Sequence, residues 1–207
     1  MNRKNVGALI LAAGSSLRMG TPKAFLPFDE KTTFLEKISS TYLQWGCNEI
    51  VVVINKASAK KVRFTGEQAE TVKFVVNDHL EFERFYSVKL GLQKMKKSDF
   101  CFIQNVDNPF LTHDILNNLY RERSNEAYVV PTFEDKGGHP ILLNKKTILY
   151  LCSFPDNTAN LRKVLGKMPC KKVKEQNSHI LVNINESEEY ERLMLLNKRK
   201  WNQSMIR

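Results

Sequence analysis

VGALILAAGSSLRMGTPKAFLPF, running from Val6 to Phe28, sets an unbroken apolar run against a loop of small residues followed by cations. Val6 to Ala13 is too short and too continuous for an amphipathic helix, and it predicts a strand buried on both faces of a sheet. At Gly14, Ser15 and Ser16 the chain has almost no side-chain bulk, so successive backbone N–H groups can converge on an anion. Arg18 and Lys23 add a forked guanidinium and a mobile ammonium within nine residues of Gly14. Strand, bare loop and cations together predict a cradle for a polyphosphate.

The spacing excludes two common phosphate loops. A P-loop places four residues between its glycines and then Lys-Ser/Thr, whereas five separate Gly14 from Gly20 and Thr21 follows. The dinucleotide fingerprint requires glycine where Ser16 stands.

Outward from this stretch, strand and helix signals alternate. Phe34, Leu35, Ile38, Tyr42 and Trp45 recur at helical spacing, and Gly46 stands where a left-handed cap ends a helix. Glu49 to Ile54 and Val72 to Val76 read as the second and third strands, followed by a helix carrying Val88, Leu92 and Met95. Asp99 to Gln104 is the expected fourth strand, and Thr112 the N-cap of a helix bearing Ile115 and Leu119. Ala127 to Pro131 and His139 to Leu143 predict an antiparallel pair around a turn with Gly137 and Gly138. A short helix over Asn160 to Leu165, a strand ending in LVNIN at Asn185 and a last helix from about Ser187 complete the reading. The pattern predicts one α/β domain with a mostly parallel sheet, an antiparallel insertion and ligand loops at the carboxyl ends of the strands.

With 207 residues and 42% hydrophobic content the chain can bury a sizeable core. Lys and Arg number 32 against 22 Asp and Glu, a net charge of +10 that favours anionic partners. Lys171, Lys172 and Lys174, and the tail residues Lys198, Arg199, Lys200 and Arg207, read as a solvated basic surface. No helix-turn-helix or zinc-finger pattern accompanies them, so nucleic acid is not the expected partner. Cys47, Cys101, Cys152 and Cys170 form no C-x-x-C pair and fit a reducing cytoplasm. No apolar run approaches the roughly 20 residues that cross a bilayer, so no membrane partner is expected.

The loop resembles the nucleotidyltransferase signature Leu-Ala-Ala-Gly-x-Ser-x-Arg-Met-Gly-x-x-Lys at Leu11, Ala12, Ala13, Gly14, Ser16, Arg18, Met19, Gly20 and Lys23. PKAFLP at Pro22 to Pro27 is similar to the Pro-Lys-x-Leu-Leu-Pro of the molybdenum cofactor cytidylyltransferases. The resemblance runs from about Val6 to Leu193 and implies a Rossmann-like, three-layer α/β/α nucleotidyltransferase fold. It implies nucleotide contacts at Leu11, Ala12, Ala13, Gly14, Ser15, Ser16, Arg18 and Lys23. In FIQNVDNPFL, Asp107 followed by Pro109 resembles the family's metal-binding Asp, with Val106 in place of the usual Gly. A carboxylate there suits Mg²⁺, which prefers carboxylate and phosphate oxygens. ILVNINESEEYERL resembles the closing signature Asp-Ile-Asp-Thr-Pro-Glu-Asp, with Asn183 and Asn185 in place of both aspartates and Glu188 retained. This implies a second, uncharged metal ligand at Asn185, which from the residues alone also reads as a helix cap.

For the acceptor, Ser87, Gly91 and Leu92 resemble a Ser-x-x-x-Gly-Leu helix start, and Gly138, His139 and Pro140 a Gly-His-Pro turn. His139 either bonds an acceptor phosphate or pterin, or satisfies the turn. Arg162 resembles the Arg of a Gly-Ala-Arg site, with Asn160 and Leu161 replacing its small residues.

The implied reaction is Mg²⁺-dependent nucleotidylyl transfer, in which an acceptor phosphate attacks the α-phosphorus of a nucleoside triphosphate and pyrophosphate leaves. A phosphate is already ionised at neutral pH and needs no general base. Lys23 then stabilises charge at the α-phosphate, Arg18 takes the departing pyrophosphate, and Asp107 with Asn185 holds the metal. Ala13 favours CTP over GTP, with molybdopterin the implied acceptor; guanylyl transfer and a sugar- or alditol-phosphate acceptor are the alternatives. The rival class is a non-catalytic nucleotide- or nucleic-acid-binding protein, supported by Asn183, Asn185 and the +10 charge.

Overall fold

Val6–Ala12 forms β1 at the centre of the sheet, paired in parallel with β2 (Glu49–Ile54) on one side and β4 (Phe100–Asn105) on the other. A strand flanked on both edges and covered on both faces has no solvated side, which is why its sequence is apolar without alternation. The computed structural model describes residues 5–14, 20–123, 126–192 and 194–195, apart from the side chain of Glu83. Ser15, Ser16, Arg18 and the tail from Asn197 therefore lie outside the described residues.

β3 (Val72–Val76) pairs in parallel with β2. Beyond β4 the sheet turns antiparallel: β7 (Ile141–Asn144) pairs with β4, and β5 (Tyr128–Phe133) with β7 and with the two-residue β6 (Lys136–Gly137). β8 (Cys170–Lys174) adds in parallel to β5. The order β3-β2-β1-β4-β7-β5-β6 gives the mostly parallel sheet with an antiparallel insertion.

Helices cover both faces. Ala8 and Ile10 of β1 pack with α1 (Phe34–Trp45) and α5 (His113–Arg121), whereas Leu9 packs with α4 (Glu83–Lys94) and α6 (Lys145–Ser153). Successive strand residues thus feed opposite layers, as the period of two demands. α1 starts on a capping box, with Thr33 and Glu36 bonding each other's backbone N–H, and ends at Gly46 with φ 102°. α4 approaches so closely that a Cβ at Gly91 would collide with Leu9 and Val53 of the sheet. Thr112 caps α5, and Asn160 caps α7 (Leu161–Leu165).

The strand expected to end in LVNIN is not present. A 3-10 turn occupies Ser178–Leu181, residues 182–185 have no regular structure, and a helix follows over 187–192. Ile180, Val182 and Ile184 alternate as in a strand, but the segment crosses the end of the sheet and bonds the β4 loop through Ile184 N to Asp107 O, 2.9 Å. Among the described residues, no helix is long and apolar enough to cross a membrane.

Candidate active site

β1 and β4 are parallel neighbours, so the segments that follow them, which lead into α1 and α5 of one layer, meet at a crevice beyond the carboxyl ends of the strands. β1 delivers Ala13 and Gly14 to that crevice. Asn55, just beyond β2, ties the loop down: its amide donates to Ala13 O at 3.2 Å and Gly14 O at 3.4 Å, while its Oδ1 caps α2 (Lys56–Ala59) at Ser58 N. Gly14 itself is exposed, and among the described residues a Cβ there would meet nothing within 4 Å. Gly20, with φ +63°, takes a left-handed turn that few other residues adopt. Lys23 opens a 3-10 turn, Lys23–Phe25, anchored by buried Ala24.

The β4 end is held by amides. Gln104 Nε2 donates to Asn105 O and Asn108 O, and Asn108 Nδ2 donates to His179 O and Ile180 O. This buried scaffold explains the run of Gln and Asn around Asp107: loop carbonyls removed from water need donors. Asp107 rides on it, and the backbone bond from Ile184 brings the segment bearing Asn185 alongside.

Three separated residues converge here. Lys23 Nζ donates to Asn185 Oδ1 at 2.7 Å and lies 3.6 Å from Asp107 Oδ2. The Lys23 and Asp107 side chains are only 15% and 18% exposed. Burial raises the Asp107 carboxyl above its ordinary value, opposed by Lys23 and Arg84. Asp107 Oδ1 is buried and, among the described residues, has no hydrogen-bond partner. Asn185 is fixed by Nδ2 to Asn183 O at 2.9 Å and by its own N–H to Glu189 Oε2 at 3.2 Å. An orphaned carboxylate oxygen beside an amide oxygen is a hard, oxygen-only donor set that fits Mg²⁺ or Mn²⁺. No cluster of three or more His, Cys, Asp or Glu occurs among the described residues, so protein ligands alone would hold such an ion weakly.

His139 faces the same crevice from the turn before β7. Asn105 Nδ2 lies 2.9 Å from its Nε2, which therefore accepts, leaving the proton on Nδ1. Nδ1 is buried and has no hydrogen-bond partner among the described residues. Burial, with the Arg84 guanidinium nearby, lowers this imidazole to about 4, so it is neutral at neutral pH.

Arg84, exposed at the start of α4, acts electrostatically on both Asp107 and His139. Sequence reasoning missed it, although a signal existed: Arg84, Ser87 and Gly91 share an i, i+3, i+7 stripe, and Gly91 marks the sheet-facing side. Asn55 was missed as well. Ser87 is not in the crevice cluster; it is buried and accepts from Asn77 Nδ2 at 2.9 Å, joining the segment after β3 to α4. Arg162 is exposed on α7, and among the described residues no hydrogen bond or ion pair links it to Lys23, Asp107 or Asn185. Leu11, Ala12 and Ala13 lie at the end of β1, where Ala12 and Ala13 are buried.

A doubly wound sheet with a cation-bearing loop after its first strand and a carboxylate after its fourth defines a nucleotidyltransferase. Residues 8–176 match the model of the MobA-like NTP transferase domain, and the chain belongs to that family. It is 27% identical to the molybdenum cofactor cytidylyltransferase of Escherichia coli K12, over 89% of this chain and 93% of that protein. A nucleotidyl transferase from Methanothermobacter thermautotroptrophicus shares the fold with TM-score 0.76 and 20% identity, covering 95% of this chain and 99% of that one. A Mycobacterium tuberculosis H37Rv protein solved in complex with manganese superposes with TM-score 0.72 and 18% identity, over 92% and 98% of the two chains.

Proposed function

We propose that this nucleotidyltransferase moves CMP from CTP to a phosphorylated acceptor of the molybdopterin type, with Mg²⁺, in the cytoplasm. The observation that carries the reading is the convergence of Lys23, Asp107 and Asn185, with a buried carboxylate oxygen that has no partner among the described residues, at the sheet edge where β1 delivers Gly14. Similarity to the E. coli cytidylyltransferase over most of both chains supports the choice of base and acceptor, as does Ala13 in the Leu-Ala-Ala-Gly stretch.

Each residue has a task in such a transfer. Amides of the loop from Gly14, together with Ser15, Ser16 and Arg18, bind the triphosphate, and Lys23 turns to its α-phosphate as negative charge grows there. Asp107 and Asn185 hold the metal, which when bound neutralises the triphosphate and orients it. His139 is too weak a base to deprotonate anything useful at neutral pH, but its Nδ1–H and the Arg84 guanidinium can both donate to an incoming phosphate. The acceptor arrives ionised, so orientation and charge neutralisation suffice.

A thermal-shift panel tests the nucleotide. With Mg²⁺ present, CTP is expected to raise Tm more than GTP or ATP at equal concentration, because only binding to the native state stabilises it. A larger shift with GTP would move the reading to guanylyl transfer, and no shift with any triphosphate would remove it.

A further inference from the structure

The Lys23 ammonium sits between the two residues assigned to the metal, bonded to Asn185 Oδ1 and 3.6 Å from Asp107 Oδ2. Asn185 is held through its own amide and N–H, and the Asp107 backbone by the bond from Ile184. Lys23 is the one member on a long, rotatable stem. A divalent ion and an ammonium repel each other strongly at such separations, and one carboxylate with one neutral amide cannot hold both.

We propose that Lys23 and the divalent metal compete for one cation position between Asp107 and Asn185, so that the metal enters only together with a triphosphate. Without nucleotide the ammonium fills the position. A bound triphosphate offers it phosphate oxygens instead, and the same phosphates supply the ligands that Asp107 and Asn185 lack. The Asn at position 185 suits this exchange. A carboxylate there would bind metal unaided, whereas an amide oxygen accepts the ammonium's hydrogen bond and leaves the position weak until phosphate arrives. Metal and nucleotide are therefore positively coupled, and Lys23 is the element that couples them. The inference rests on the nucleotidyl-transfer reading.

Mn²⁺ is the probe. Free Mn²⁺ is titrated by electron paramagnetic resonance on the full chain, for wild type, Lys23→Met, Lys23→Gln and Arg84→Met, with folding checked by thermal melts. Arg84→Met removes a cation that acts on Asp107 without occupying the position, so it measures the general electrostatic effect. Without nucleotide, both Lys23 variants are expected to bind Mn²⁺ at least tenfold more tightly than wild type, and Arg84→Met less than threefold. In a second arm, the affinity of α,β-methylene-CTP is measured with and without Mn²⁺. The ion is expected to tighten binding tenfold or more in wild type and by much less in Lys23→Met. Equal gains in the Lys23 and Arg84 variants, or tight Mn²⁺ binding by nucleotide-free wild type, would overturn the shared position. Failure of methylene-CTP and methylene-GTP to bind any variant would overturn the nucleotidyl-transfer reading instead, while the nucleotide-free arm would still decide the competition.

Discussion

Asp107, Lys23 and His139 each make a claim that one substitution can test. Burial raises the Asp107 carboxyl despite its cations, so its ionisation opposes folding as pH rises above the ordinary carboxylate range. Asp107→Asn is thus expected to keep or raise Tm while lowering turnover by about 10²-fold or more, the usual effect of losing one preorganised electrostatic group. Normal turnover in that variant would defeat the metal assignment. Lys23→Ala is expected to lower kcat by about 10²–10³ and to change KM less, because the α-phosphate contact matters most in the transition state; steady-state kinetics in which only KM moved would make Lys23 a ground-state binder. His139 titrates near 6.5 unfolded and about 4 folded. Between those values the unfolded chain carries more protons, so stability rises with pH there and is lost as pH falls from 6.5 toward 4. The slope from this residue reaches about 1.4 kcal/mol per pH unit. Urea titrations at several pH values are expected to show a flatter profile for His139→Gln over that window; unchanged slopes would mean that His139 is protonated in the fold. Lys23, Asp107 and Asn185 were legible in the sequence because they sit in patterned segments. Arg84 was missed because its stripe with Ser87 and Gly91 marks only a shared helix face, and the fold decides that this face meets Asp107 and His139.

At the level of elements, β1, β2 and β4 were readable because continuous apolar runs of strand length leave few alternatives, and α1 because its apolar stripe ends at a glycine with positive φ. The stretch before Asn185 misled because residue alternation reports only which side chains are buried, not whether a partner strand exists. It is instead a strap across the sheet end, and its course depends on a close approach at the turn before β7. A Cβ at Gly138 would lie 2.5 Å from Ile180 O, a backbone atom, while Gly138 N and His139 N bond Pro131 O and Ile180 O. Gly138→Ala must therefore push the strap away, at a cost of about 1–3 kcal/mol. Because the strap carries Asn185, loss of activity is expected to exceed what the fraction unfolded explains. A variant with full activity per folded molecule, measured alongside its denaturation curve, would show that Asn185 is positioned from elsewhere.

The whole molecule brings Lys23, Asp107 and Asn185 together at one sheet edge by three different routes through the chain, and only the fold makes them neighbours. Its net charge of +10 attracts anionic substrates without distinguishing among them, so the base and acceptor rest on local residues. The most direct test mixes purified protein with CTP, Mg²⁺ and molybdopterin and measures pyrophosphate release together with the nucleotide attached to the pterin. The account predicts one pyrophosphate per CMP transferred, abolished in Asp107→Asn and dependent on the acceptor. No pyrophosphate with CTP, GTP or ATP under any of these acceptor conditions, or equal release by Asp107→Asn, would contradict it.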